Sequence, residues 1–210
     1  RARVAELAAD GEAGVAAVAA ELTSGQEVDR LRDAVESTLG PLDVVVANAG
    51  GSPVPPGPVE DLSEEDFRRS VDANLTAAFL TIRSVLPGMT ARGGGAIVTM
   101  SSAAARRPHP GSPVAYAAAK AGVELLTKDV AHQAGPAGVR VNCIAPETIL
   151  TERNREWIPE DVQRRLVDEH PIRRLGTPED VADAAVFLAS DRSAWITGVV
   201  LDVSGGGVMV

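Results

Sequence analysis

Cysteine occurs only once, at Cys143, so no internal disulfide can form, and three scattered histidines with that one thiol exclude a local Cys/His zinc motif. No metal site is expected. Aromatic residues make up only 3% of the chain, against 45% hydrophobic residues in all. The core must then be built from Ala, Val, Leu and Ile, as in helix-on-sheet packing. Basic residues are in deficit: 20 Lys and Arg against 29 Asp and Glu give a formal charge of −9. Lacking a basic cluster, such a chain repels polyphosphate, which argues against nucleic-acid binding. No run of about 18 apolar residues occurs and no charged-then-apolar leader opens the sequence. No membrane contact and a cytoplasmic location are expected. An initiator methionine is also missing, and the chain enters a helical pattern almost directly after Arg1-Ala2-Arg3.

What is present is an alternation of two patterns. Short β-branched runs occur at 14–22, 42–47 (LDVVVA), 95–100 (GAIVTM), 139–144 (VRVNCI) and 199–203 (VVLDV). Most lack strict alternation, which fits strands buried on both faces of a parallel sheet. Between them lie helix starts in which a hydroxyl precedes an acid by three residues and accepts from the first free N–H groups: Ser24 with Glu27, Ser63 with Asp66, Thr177 with Asp180. Another helix begins at Ser112-Pro113 and stops near Gly135-Pro136. The expected fold is α/β, a doubly wound parallel sheet forming one Rossmann-like domain over residues 1–210, with its ligand crevice beyond the strand carboxyl ends. Residues 50–61 are Pro-rich loop. Residues 147–174 are long for a loop and carry an amphipathic stretch at 158–171, which predicts a flap over the crevice.

Polar residues at those strand ends are the candidates for chemistry. Tyr116 and Lys120 stand at i and i+4, on one face of a helix. An ammonium that close favours phenolate and predicts a Tyr116 pKa lowered from about 10, towards the range of acid–base catalysis. Ser101-Ser102 directly follows the run at 95–100, and Asn48-Ala49-Gly50 follows that at 42–47, where small residues let backbone approach a ligand. Asn74 falls mid-helix, a position its side chain disfavours unless it bonds nearby.

That order, Asn-Ala-Gly, helix asparagine, Ser-Ser, then Tyr-x-x-x-Lys, resembles the short-chain dehydrogenase/reductases, 3-oxoacyl-carrier-protein reductases among them, over nearly the whole chain. The resemblance implies an NAD(P)-dependent enzyme moving hydride between nicotinamide and a ketone or secondary alcohol. Its catalytic residues would be Asn74, Ser102, Tyr116 and Lys120. Glu21, Leu22, Asn48, Ala49 and Gly50 would line the adenosine side of the cofactor; Pro146, Ile149 and Thr151 the nicotinamide side, with Tyr116 and Lys120 at the ribose. It further implies a small carbonyl or alcohol substrate and a homotetramer or homodimer packed through two long helices and the last strand.

Several positions depart from the family pattern. The N-terminal βαβ unit with its glycine-rich phosphate loop is absent from this chain, which predicts that the native chain extends upstream of Arg1; without that unit the sheet has a gap. The residue that selects NAD or NADP belongs to the same unit, so cofactor choice stays open. Glu21-Leu22 stands where Asp-Val is usual, Glu147 replaces the glycine after Pro146, and Ser204 replaces an aspartate before the terminal glycines. Arg106, Arg107 and His109, between Ser102 and Tyr116, are read as exposed loop charges, with contact to an anionic substrate as the alternative. Two other functional readings remain open at this point: a lyase or isomerase using the same Tyr/Lys pair, and a non-catalytic scaffold.

Overall fold

The computed structural model describes residues 14–109 and 111–209. The helical pattern read at the start of the chain lies outside them. Four parallel strands, β1 (Val44–Ala47), β2 (Gly95–Met100), β3 (Val139–Pro146) and β4 (Val200–Val203), pair in the order β1-β2-β3-β4. Val46 pairs with Val98, Val98 with Asn142, and Cys143 with Val200. Parallel neighbours need crossovers, and helices supply them. Helix α1 (Gly25–Leu39) precedes β1; α2 (Glu64–Val71) and α3 (Ala77–Arg92) lie between β1 and β2; the short α4 (Ala103–Arg106) and long α5 (Val114–Ala134) lie between β2 and β3; α6 (Glu152–Trp157), α7 (Glu160–Glu169) and α8 (Pro178–Ala189) lead to β4.

The continuous apolar runs are explained by cover on both faces. Ile97 and Val141 pack with Ile82, Val85 and Met89 of α3 and Val130 of α5, while Val98, Met100 and Ile144 point the other way, onto Leu188 of α8. Each fully buried side chain of this size contributes roughly 1.5–3 kcal/mol. Hydroxyl caps hold the helix starts: Ser24 accepts from the Glu27 amide, Ser63 from that of Asp66, and Thr177 and Asp180 form a reciprocal box. At the other end of α8, the Arg140 guanidinium on β3 donates to the carbonyls of Leu188, Ala189 and Ser190, placing a cation at the negative helix terminus.

Two expectations are corrected. Residues 15–21 form no strand: a strand exists only through a ladder partner, and among the described residues β1 pairs on one side alone, with β2. Val44 and Val46 are exposed on the face that α8 covers further along the sheet. An apolar cavity of about 310 Å³ opens at the free edge of β1, between Leu22, Val28, Leu31 and Val35 on one side and Ala77 and Val85 on the other. The 147–174 segment also differs from a loop with one helical stretch. The amphipathic segment forms α7 as expected, but a further helix, α6, precedes it, capped by Thr151.

Candidate active site

Three chain segments meet at the carboxyl ends of β1 and β2. The first is the turn after β1, in which the Asn48 amide donates to the Val46 carbonyl and Gly50 and Gly51 take positive φ. Gly50 is required by contact as well as by torsion: a Cβ there would lie 2.7 Å from Asn74 Oδ1 and 3.3 Å from Lys120 Nζ. Asn74 is only 1% exposed and sits in a π-helical segment, Asp72–Thr76, spliced between α2 and α3. That widened turn lets its side chain leave the helix. Its Nδ2 donates to the carbonyls of Gly51 and Ser70, and its Oδ1 accepts from the Gly51 amide. The disfavoured mid-helix asparagine is thus satisfied by a loop 23 residues away.

The second segment is the exit of β2, where the two adjacent serines part company. Ser101 is buried, its hydroxyl donating to Glu124 Oε1 at 2.8 Å, with the Lys120 carbonyl as a second acceptor at 3.3 Å. Ser102 is the N-cap of α4, accepting from the Ala104 amide, and its side chain also interacts with the Tyr116 phenol. Third comes the start of α5, with Pro113 rather than Ser112 at its cap position. Lys120 is 4% exposed; its Nζ donates to the Met100 carbonyl at 2.8 Å and lies 5.7 Å from the Tyr116 ring centroid.

The electrostatics differ from the expectation of a lowered phenol pKa. Burial raises the Tyr116 pKa, with the Ser102 hydrogen bond pulling the other way, and burial lowers Lys120 to about 8. Desolvation disfavours both charged forms and outweighs the Ser102 hydrogen bond at Tyr116 and the pull of Cys143 at Lys120. The result is a phenol held protonated beside an ammonium that is close to giving up its proton.

The remaining sequence candidates are dispersed. Leu22 and Asn48-Ala49 line the same apolar cavity beside β1. The Glu21 carboxylate turns back onto the Thr23 amide and hydroxyl, which hold its pKa below the ordinary carboxylate value. Pro146 ends β3, Ile149 bridges to Gly176, and the Thr151 hydroxyl is occupied in capping α6.

Sequence reasoning missed a buried ionic cluster behind these groups. Arg106 is not an exposed loop charge: it donates to Glu124 Oε2 at 2.9 Å and to Asp202 Oδ1 at 3.1 Å. One signal was available, because Glu124 continues the face of α5 that carries Tyr116 and Lys120, one further turn along. Among the described residues, no group of three or more metal-ligating side chains occurs, and no helix is long and apolar enough to cross a membrane.

Comparison with known proteins identifies the family. The family model described as enoyl-(acyl carrier protein) reductase matches residues 1–207, and the chain belongs to the short-chain dehydrogenase/reductase family. The 7alpha-hydroxysteroid dehydrogenase of Escherichia coli K12 is 39% identical over 188 residues, covering 90% of this chain and 72% of that protein. A solved structure of 7 alpha-hydroxysteroid dehydrogenase with NADH and 7-oxo glycochenodeoxycholic acid superposes with a TM-score of 0.90 at 38% identity, over 99% of this chain and 79% of that one. A 3-oxoacyl-[acyl-carrier protein] reductase with bound NAD from Brucella melitensis gives a TM-score of 0.88 at 37% identity, over 100% and 78%.

Proposed function

We propose that this chain is an oxidoreductase that moves hydride between NAD or NADP and a ketone or secondary alcohol, with Tyr116 as the proton donor and acceptor. The observation that carries the reading is the convergence of the Ser102 hydroxyl, the Tyr116 phenol and the buried Lys120 ammonium at one end of a parallel sheet. A nicotinamide dinucleotide fits there on local grounds. The turn at Gly50 leaves no room for a side chain, so backbone forms the wall beside Asn74 and Lys120. Leu22, Asn48, Ala49 and Gly50 would hold the adenosine side, with Glu21 near it; Pro146, Ile149 and Thr151 would hold the nicotinamide side, and Lys120 the ribose hydroxyls.

When bound, the nicotinamide supplies or accepts the hydride. The chain's own residues handle the proton. With its pKa raised, Tyr116 carries its proton at neutral pH and donates it to a carbonyl oxygen, so the site is set for reduction. Ser102 donates a hydrogen bond to the same oxygen and steadies the charge that develops on it. Asn74 ties the 48–51 turn against Lys120, and its Oδ1 is positioned to share a water with the ammonium. The same reading makes the protein a cytoplasmic homodimer or homotetramer.

The test is Tyr116→Phe. Turnover of a ketone with NADH or NADPH should fall about 10²–10⁴-fold, while dinucleotide affinity by fluorescence titration changes by less than about threefold. Retention of most of the activity would remove Tyr116 from its role.

A further inference from the structure

A second cavity, of about 490 Å³, lies between the end of β3, the flap and the turn after β4. Its polar lining is almost entirely spoken for. Asp180 is held by Arg174 at 2.6 and 2.7 Å, Asp202 by Arg106, and Ser204 exchanges hydrogen bonds with the Val208 backbone. Two buried atoms are the exceptions. Glu147 Oε2 and His170 Nε2 have no hydrogen-bond partner among the described residues, although the Glu147 side chain is 8% exposed and His170 5%.

Both atoms are acceptors. His170 Nδ1 faces the Leu166 carbonyl, which can only accept; in the tautomer this contact calls for, with the proton on Nδ1, Nε2 presents a lone pair. Leaving two such acceptors dry is costly unless a donor fills the space. The donor need not be a cation. Arg107 and His109 approach the Glu147 carboxylate at 3.8 and 3.9 Å, too far for hydrogen bonds but close enough for Arg107 to balance its charge. The rest of the wall is apolar, with Ile149, Ile172, Val203 and Val208. A neutral hydroxyl on an apolar skeleton matches this combination.

The Glu147 end of the cavity lies one strand away from Ser102. Met100 pairs with Ile144, and the Ser101 amide donates to the Ile144 carbonyl, so Ser102 and Glu147 leave adjacent strands at the same end. Strands so paired are about 4.8 Å apart. We propose that this cavity receives the distal part of the substrate and that Glu147 selects carbonyl compounds bearing a second, hydroxyl group. The assignment of the cavity to the substrate rests on the oxidoreductase reading above.

The test compares cyclohexanone with its 2- and 4-hydroxy derivatives, by calorimetric titration without cofactor and by kcat/KM with NADH or NADPH. At least one hydroxy ketone should bind about tenfold tighter than the parent ketone, and Glu147→Ala should bring that ratio close to one. Equal affinities in the wild type, or a preference that survives in the alanine variant, would overturn the proposal. A binding preference lost in Glu147→Ala, without NAD(P)H oxidation by either protein, would uphold the hydroxyl site and reject the oxidoreductase reading instead. Should the alanine variant not fold, Glu147→Gln keeps the shape, removes the charge and is judged by the same ratio.

Discussion

Lys120 is a cation almost without water, held by one backbone carbonyl and the face of one aromatic ring. Its folded pKa of about 8 lies below the ordinary lysine value of 10.5, so the unfolded chain binds the proton more tightly. Between those two values the unfolded state carries more protons, and stability contributed at this residue rises with pH; below about 8 it is flat. Tyr116 acts in the opposite sense only above its ordinary value of 10.0, where the folded state keeps a proton that the unfolded state releases. Burial also raises the Cys143 pKa from 9.0, which opposes the lysine in the upper part of the window from roughly pH 7.5 to 9.5, so the comparison is made with a variant that keeps this thiol. Over that window, the wild type should gain on the order of 1–2 kcal/mol relative to Lys120→Met, read from urea midpoints at each pH. Parallel pH profiles for the two proteins would mean that the lysine is better solvated than its burial implies. The residue types of the site were legible in the sequence, since a hydroxyl, a phenol and an amine at strand and helix ends are chemically conspicuous. Their pKa directions were not: burial decided those, and burial belongs to the packed molecule.

At the scale of elements, the ionic cluster joins three of them: Arg106 on α4, Glu124 on α5 and Asp202 on β4. All three side chains are less than a fifth exposed, so removing the central cation strands two carboxylates. Arg106→Leu should cost about 3–5 kcal/mol in urea unfolding with an unchanged m-value. Adding Glu124→Leu and Asp202→Leu should recover much of the loss, because an apolar trio of similar volume needs no partners. If the triple variant were no more stable than Arg106→Leu, shape and not charge would govern the cluster. This network was hidden from sequence reading because Arg106 and Asp202 are 96 positions apart. Helix starts were legible because a cap is local: Ser24, Ser63 and Thr177 each meet the amide three residues on. Strands β1 to β4 were legible because both their faces must be apolar along most of the sheet. The run at 14–22 is also continuously apolar up to Glu21 and forms no strand, since composition supplies a candidate and only a neighbour makes a ladder. The π turn at Asn74 has a similar explanation, as the hydrogen bonds that release its side chain end on Gly51, in another segment.

Among the described residues, two of the exposed apolar regions bear on assembly. On one, Val44 and Val46 are 46% and 43% exposed beside the edge of β1 that has no partner strand among the described residues. On the other, Phe79 of α3 is 44% exposed and Leu125 of α5 is 61% exposed. Near this second pair α5 packs closely on the π-helical segment that leads into α3: a Cβ at Gly122 would come within 2.9 Å of Leu75. Phe79 and Leu125 each sit about one turn beyond that contact, on helices whose other faces are already filled by Ile82, Val85 and Met89 and by Val123, Thr127 and Val130. Large side chains in that position have no role in the monomer's core, and a shared patch on two helices is the broader surface to cover. Light scattering on the purified chain should therefore give two or four times 21.7 kDa. Phe79→Glu with Leu125→Glu should reduce it to the monomer mass, with monomer stability altered by no more than about 0.5 kcal/mol per site, as for ordinary surface positions. Val44→Lys with Val46→Lys is the discriminating control. If that pair abolished assembly while the glutamate pair left it intact, the contact would run through β1. A wild type already monomeric at tens of micromolar, a concentration given only as a rough scale, would leave both surfaces unpaired and remove self-association from the description of this protein.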